Sequence, residues 1–424
     1  MPRLQRVYGH ITRGCGVSTV HDARRVFQTV IRLCYHLDRN PIYPRTVVPP
    51  KKGCATPERG DQPWRTTATF GARGAAAGAF RASTLCVDAT TKWPYPPTSL
   101  PRQDVMERAP ERMITGSPNK PVIAVVGAGL MGHGISQLFA VAGHRVAVYD
   151  PNGDVRASVP ARVRSIFELL GQDQTALERI SLHSDFGEAV SGADFVFEAA
   201  PEKLEIKQEI FERLAATTKP VAVLASNTSV IPIGDLGARV NRQHAGRIVG
   251  THFWNPPHLV PLVEVVQAER TDVAVVEKTV ELLKSVGKVP VHVKRDIPGF
   301  IGNRLQHALK REAIALVADG VCDAETIDLV VKHGFGSRLA VLGPMEQSDL
   351  VGLDLTLDIH KVLLRHLDRR PGPHPFLEQK VAAGELGMST GRGFREWTPQ
   401  QCAEVRERLN RYLLALAHQR KDGA

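Results

Sequence analysis

The 424-residue chain is poor in cysteine, with six, and none stands in a C-x-x-C pair or in Cys/His zinc spacing. A disulfide framework and a structural zinc site are therefore not expected. No apolar run approaches the ~20 residues that a bilayer-spanning helix needs, so the chain reads as soluble, with no membrane partner. Acidic residues are scarce in one place only: residues 1–105 hold 16 Lys and Arg against 6 Asp and Glu, while residues 106–424 hold 38 of each. The formal charge of +10 lies wholly in that first quarter. A nucleic-acid partner is not expected for the neutral remainder. Cys15, Cys34, Cys54 and Cys86 share the basic quarter, which leaves Cys322 and Cys402 to the rest and suits a reducing compartment.

The first 118 residues also lack a sustained hydrophobic period of 2 or 3.6, apart from a possible short helix at 24–35, and they carry turn-rich blocks at 41–50 and 94–101. They read as disordered. An Arg-rich, acid-poor start resembles a mitochondrial transit peptide, but this one is long and bears proline and cysteine throughout. No methionine lies between Met1 and Met106, and Met106 and Met113 stand just ahead of the first strand pattern. The expectation is a start placed too far upstream, or an extension without function, on a cytoplasmic protein; mitochondrial import is the alternative.

Residues 120–150 carry far more information. They read KPVIAVVGAGLMGHGISQLFAVAGHRVAVYD: an apolar strand, the loop Gly127-Ala128-Gly129-Leu130-Met131-Gly132, a helix, and a second strand closed by Asp150. Glycines also cluster in ordinary turns, but here strand, loop, helix and acid agree on a dinucleotide-binding βαβ unit. Gly127 permits the tight turn, Gly129 lets the backbone approach a pyrophosphate, and Gly132 lets the helix pack on the strand. Phosphates would sit on the helix N-terminus. Asp150, eighteen residues after Gly132, is placed to accept from the adenosine ribose hydroxyls and would repel a 2′-phosphate, which favours NAD over NADP.

Beyond Asp150, helical stretches at 155–170 and 202–216 alternate with apolar strands near 180, at 194–200 and at 221–229, the pattern of a parallel sheet covered on both faces. Glu198, Glu202 and the run Ser226-Asn227-Thr228-Ser229 fall at strand ends, where ligands gather or where helices are capped. Residues 247–266, RIVGTHFWNPPHLVPLVEVV, hold two apolar runs about a proline turn. A carboxylate in the valine-rich second run, Glu264, is costly to bury unless paired, and His252 across the turn is the economical partner. The acid fixes one imidazole nitrogen and leaves the other to take a hydroxyl proton. From Gly299 onward the chain reads as helices at 299–320, 323–334, 346–366 and 401–417, with a loop at 371–375. Asn303 opens the first of these, where it could cap the helix or act in the site. Lys361, Arg365, Arg369 and Arg370 form a basic stripe that reads as a solvated face.

GAGLMG, FEAAPEKLEIK, ASNTS, THFWNPPHLVPLVEVV, IPGFIGNRLQHALKREAIALVADGV and LGPMEQSDLVGLD occur in that order along the chain. Through them, residues 120–400 resemble the L-3-hydroxyacyl-CoA dehydrogenase superfamily, of the 3-hydroxybutyryl-CoA dehydrogenase kind. The resemblance implies that His252 is the catalytic histidine and Glu264 its partner acid, that Ser229 and Asn303 stand at the substrate oxygens, and that Glu202, Lys207 and Asn255 line the cofactor. It also implies an α/β fold: a Rossmann-type doubly wound sheet over 119–297, followed by an all-helical C-terminal domain over 298–424 that forms the substrate cleft and a homodimer interface. The expected activity is NAD-dependent oxidation of a 3-hydroxyacyl-CoA in fatty acid metabolism, with no metal. Two departures keep an alternative open. Residues 151–180 carry arginines and no lysine where the CoA enzymes have a lysine-rich excursion, and Pro261 stands where they have a lysine. Both point to the branches acting on free 3-hydroxy acids such as carnitine or L-gulonate. A lesser alternative is a structural NAD-binding protein without turnover.

Overall fold

The computed structural model describes residues 120–422; the expectations for the first 118 residues lie outside them. Eight strands, β1 (Ile123–Val126), β2 (Val146–Tyr149), β3 (Ile180–His183), β4 (Phe195–Glu198), β5 (Val223–Ser226), β6 (Ile248–Phe253), β7 (Leu262–Val266) and β8 (Val289–Val293), form one sheet in the order β3-β2-β1-β4-β5-β6-β7-β8. The sheet is doubly wound because β1 is apolar on both faces. Ile123 and Val125 join a core with Phe139, Phe167 and Phe197 on one side, while Ala124 and Val126 join Phe211, Leu214 and Leu224 on the other. Helices α1 (Gly132–Val141), α2 (Gly153–Leu170), α3 (Phe186–Val190), α4 (Leu204–Thr217), two short turns α5 (Ile233–Leu236) and α6 (Arg242–Ala245), and α7 (Val273–Ser285) supply the covering layers. Strand order reverses between β1 and β4, so a crevice opens at their carboxyl ends.

The sheet is not wholly parallel, as the alternation of strands and helices suggests. β6 and β7 are antiparallel, since the eight residues 254–261 between them are too few for a crossover to a parallel neighbour. That hairpin puts His252 directly opposite Glu264 in the register.

After β8 the chain is helical: α8 (Gly302–Ala318), α9 (Ala324–His333), α10 (Pro344–Val351), α11 (Leu353–Leu363), α12 (Pro375–Ala382) and α13 (Pro399–Asp422). The single helix expected at 346–366 is divided at Gly352, whose φ of 102° only glycine adopts readily. Helix α12 is not among the expected helices; it begins on the last proline of the expected loop, with φ already set for a first turn and the His374 side chain accepting from the Phe376 N–H. From Ile301 onward the buried apolar side chains are Ala315 and Cys402, whereas Leu305, Val330, Leu350, Leu353 and Leu357 are more than half exposed. Among the described residues no helix is long and apolar enough to cross a membrane.

Candidate active site

The loop after β1 shapes a cavity of about 720 Å³ lined by Gly127, Gly129, Leu130, Met131, Asp150 and, across the crevice, the 199–201 segment. Each glycine has its own reason. Gly127 has a φ of 99°, and a Cβ there would lie 2.6 Å from the Ala199 carbonyl oxygen; at Gly132 it would lie 1.8 Å from that of Gly127. A Cβ on Gly129 would meet nothing of the protein within 4 Å. The fold therefore does not require glycine at 129, whereas a pyrophosphate laid on the backbone does. Gly132→Ala is expected to weaken NADH binding at least tenfold and to lower the melting temperature. Gly129→Ala should lose affinity while melting as wild type, which fluorescence titration and thermal denaturation would separate.

Asp150 leaves the end of β2 and accepts from the Ala128 N–H at 2.8 Å and the Asn152 N–H at 2.9 Å. It thus braces the glycine loop and keeps lone pairs for ribose hydroxyls. Tyr149, Phe186, Ile210 and Arg213 close the far end of the cavity, with the Arg213 guanidinium 4.0 Å from the Phe186 ring centroid. Asn255, Glu202 and Lys207 do not line this cavity.

His252 and Glu264 meet as the hairpin register requires, Nδ1 to Oε2 at 2.8 Å, with both residues buried. The other carboxylate oxygen, Oε1, accepts the N–H groups of Ile301 at 2.9 Å and Gly302 at 3.0 Å, the first turn of α8. Gly299 and Phe300, with φ of 75° and 50°, turn the chain so that those donors face Glu264. A left-handed phenylalanine is strained, and its fully buried ring, 5.8 Å from that of His252, holds it there. Burial raises the Glu264 pKa, but the His252 bond, the two helix N–H groups and the imidazole charge together hold it below the ordinary 4.5. The ionised acid only accepts, so Nδ1 carries the proton and Nε2 keeps its lone pair. Nε2 is neither hydrogen-bonded within the described residues nor sealed from solvent.

A polar chain continues from this pair. Asn303, next to Gly302, does not cap α8; its Nδ2 donates to the Ser229 carbonyl at 2.9 Å. The Ser229 N–H donates to Glu202 at 2.8 Å, as do the Thr228 hydroxyl at 2.6 Å and the Val230 N–H at 3.1 Å. Burial opposes the charge of Glu202, yet the Thr228 hydroxyl, the Lys207 ammonium and these two N–H groups keep its pKa below normal. Lys207 lies behind Glu202, only 1% exposed, with its ammonium 2.7 Å from the fully buried Glu198 and 3.4 Å from Glu202. Glu198 also accepts from Ser226 at 2.6 Å. The ends of β4 and β5 are thereby locked together, and the Asn227 side chain, accepting from the Phe253 N–H at 2.9 Å, ties in the end of β6.

The NAD binding domain family of 3-hydroxyacyl-CoA dehydrogenase matches residues 122–297, and the C-terminal domain family of the same enzyme matches residues 299–397. The chain belongs to the 3-hydroxyacyl-CoA dehydrogenase family. It is similar to 5-formyl-3-hydroxy-2-methylpyridine 4-carboxylate 5-dehydrogenase of Mesorhizobium japonicum, 35% identical over 69% of this chain and 96% of that one. It is similar as well to 3-hydroxybutyryl-CoA dehydrogenase of Bradyrhizobium diazoefficiens, 37% identical over 65% and 94% of the two chains. A crystal structure of a 5-formyl-3-hydroxy-2-methylpyridine 4-carboxylic acid 5-dehydrogenase, described as an NAD+-dependent dismutase, superimposes with a TM-score of 0.65 at 34% identity, covering 70% of this chain and 97% of that one.

As a member of this dehydrogenase family the chain uses NAD, and the glycine at 129 and the acid at 150 fit it. When bound, NAD supplies the hydride acceptor. Among the described residues no cluster of three or more His, Cys, Asp and Glu could hold a metal. Of the four residues expected to act on substrate, His252 and Glu264 bond directly, and Asn303 and Ser229 bond each other. Sequence reasoning placed Thr228 at a strand end without its bond to Glu202, and it missed the Ile301 and Gly302 N–H groups and the Glu198–Lys207 pair. Glu198 carried a signal, a charged residue in a fully apolar strand, and such a residue demands a buried cation. His258 is no second base: burial, then the charges of His133 and Lys288, push it down to about 4.

Proposed function

We propose that the chain is an NAD-dependent dehydrogenase that oxidises a 3-hydroxyacyl-CoA to the 3-oxoacyl-CoA, with His252 as general acid/base. The observation that carries this reading is the buried 2.8 Å His252–Glu264 pair, with an accessible Nε2. In this mechanism Nε2 takes the proton of the substrate hydroxyl as the C3 hydrogen leaves as hydride, and the carbonyl forms. Glu264 stabilises the resulting imidazolium. The second N–H of the Asn303 amide and the Ser229 hydroxyl hold the substrate oxygens. A free 3-hydroxy acid is the second reading, supported by Pro261 at the site of the CoA enzymes' lysine and by a carboxylate in the name of the Mesorhizobium relative.

The test is NADH appearance at 340 nm with (S)-3-hydroxybutyryl-CoA, L-carnitine and L-gulonate offered in parallel. Turnover of the thioester alone supports the first reading, and turnover of a free acid alone replaces it with the second. The apolar side chains left exposed on α8 to α11 support a homodimer formed through the helical region. Light scattering is expected to give twice the chain mass, falling toward one on Leu353→Glu if that face is the interface.

A further inference from the structure

Beside Asn303 a groove of about 620 Å³ runs along one face of α8, floored by Val230 and Gly299 and flanked by Arg304, His307 and Arg311; Arg370, from the loop before α12, closes it. No carboxylate lines it. Asp368 stands outside it, 3.4 Å from the Arg370 guanidinium and within the field of Arg311 and His374, and Glu202 accepts from the Val230 N–H at 3.1 Å. Among the described residues Arg304 makes one long contact, 3.4 Å to the Pro298 carbonyl, and forms no ion pair. Three guanidiniums thus line the groove, and among the described residues only that of Arg370 is ion-paired. Like charges gathered along a concave wall raise the local concentration of anions.

The groove starts at the proposed catalytic end. Asn303 is common to both, bonded to Ser229 and adjacent to the Gly302 N–H that holds Glu264. At 1.5 Å per residue, Arg304, His307 and Arg311 lie roughly 1.5, 6 and 12 Å along the helix from Asn303. The C1 carboxylate of a short 3-hydroxy acid is two bonds from the reacting carbon and cannot reach the last two.

Resting on the reading of His252 and Asn303 as the catalytic end, we propose that this groove is an anion subsite that selects substrates bearing a carboxylate or phosphate about one to two helical turns beyond the reacting carbon. Arginine suits either group, because its planar fork pairs with two oxygens at once. The same charges repel a trimethylammonium, so L-carnitine is a poor substrate on this account. The four-residue stripe expected to be solvated is divided by it. Lys361 pairs with Asp358 at 3.0 Å, Arg365 and Arg369 bond main-chain carbonyls, and Arg370 turns to the groove.

The test is calorimetric titration of the full chain with three probes: 3-hydroxysuberate with a distal carboxylate, 3-hydroxy-7-phosphonooxyheptanoate with a distal phosphate, and 3-hydroxyoctanoate with neither. The expected result is that at least one of the two anion-bearing probes binds at least tenfold more tightly than the monoacid. The favoured ligand should lose at least tenfold on Arg304→Ala and on Arg311→Ala, lose less on Arg311→Lys, and weaken with added salt. Which probe wins tells carboxylate from phosphate. Equal binding of all three, or a preference that the substitutions leave unchanged, overturns the proposal. Turnover is read separately: dehydrogenation with substitution-insensitive binding leaves the enzyme reading and removes the subsite, and substitution-sensitive binding without turnover does the reverse.

Discussion

Replacing His252 with glutamine is expected to lower kcat by about 10²- to 10⁴-fold, the range over which a positioned general base contributes. Glutamine offers nitrogen and oxygen at similar reach but takes no proton near neutral pH, so proton transfer is lost while the hairpin persists. NADH affinity should stay within about twofold, because His252 does not line the cofactor cavity. A titration followed by nicotinamide fluorescence, beside steady-state kinetics, separates the two effects. Equal kcat in the variant would remove His252 from the chemistry, whereas NADH binding without turnover in either protein would return the chain to the reading of a structural NAD-binding protein.

Glu264→Gln is the second large effect, and it is expected in kinetics more than in stability. The amide oxygen still accepts from the Ile301 and Gly302 N–H groups, but the amide nitrogen now faces Nδ1 of His252. Nδ1 must then accept, which moves the ring proton to Nε2 and removes the lone pair the reaction needs. An acid-to-amide change in another histidine–carboxylate catalytic pair costs about 10⁴-fold through the same tautomer fault, and a loss of about 10³- to 10⁴-fold is expected here. Glu264→Ala instead strips three donors of their acceptor and is expected to cost about 3–5 kcal/mol of stability as well, the magnitude for breaking a buried pair.

The acid limb of stability depends on the same group. Burial works against the charge of Glu264, yet its bonds bring the folded pKa below the unfolded 4.5. Between those two values the unfolded chain binds the proton and the folded chain does not. The stability contributed is therefore complete above 4.5 and is lost as pH falls through the folded pKa. Glu202 carries the same sign. Urea midpoints taken from pH 7 down to pH 3 should fall less steeply for Glu264→Gln than for wild type.

Much of this was legible because it is local. The glycine loop, Asp150 and the helix between them lie within thirty residues, and the spacing of the glycines is complete in that stretch. The His252–Glu264 pair was legible because a short proline turn forces an antiparallel neighbour, and a two-residue side-chain period then puts the acid opposite the base. The remainder depends on distant partners. Glu264 takes its other two bonds from residues 37 and 38 positions away, and no periodicity in β7 announces them. Nothing around Lys207 in the sequence announces that its ammonium lies between Glu198 and Glu202, the second of which accepts from the Ser229 N–H. The groove required α8 and Arg370 to meet. Charge counting along one helix could not show that.

The fate of the C3 hydrogen decides whether His252 and NAD carry out the dehydrogenation together. Each candidate substrate, thioester and free acid, is offered to the full chain with NAD after deuteration at C3, and the reduced cofactor is analysed by mass spectrometry. Deuterium is expected on the nicotinamide with at least one substrate, and no reduction over the same time by the His252→Gln variant. NAD left unreduced by every substrate, or reduced without the label, would contradict it.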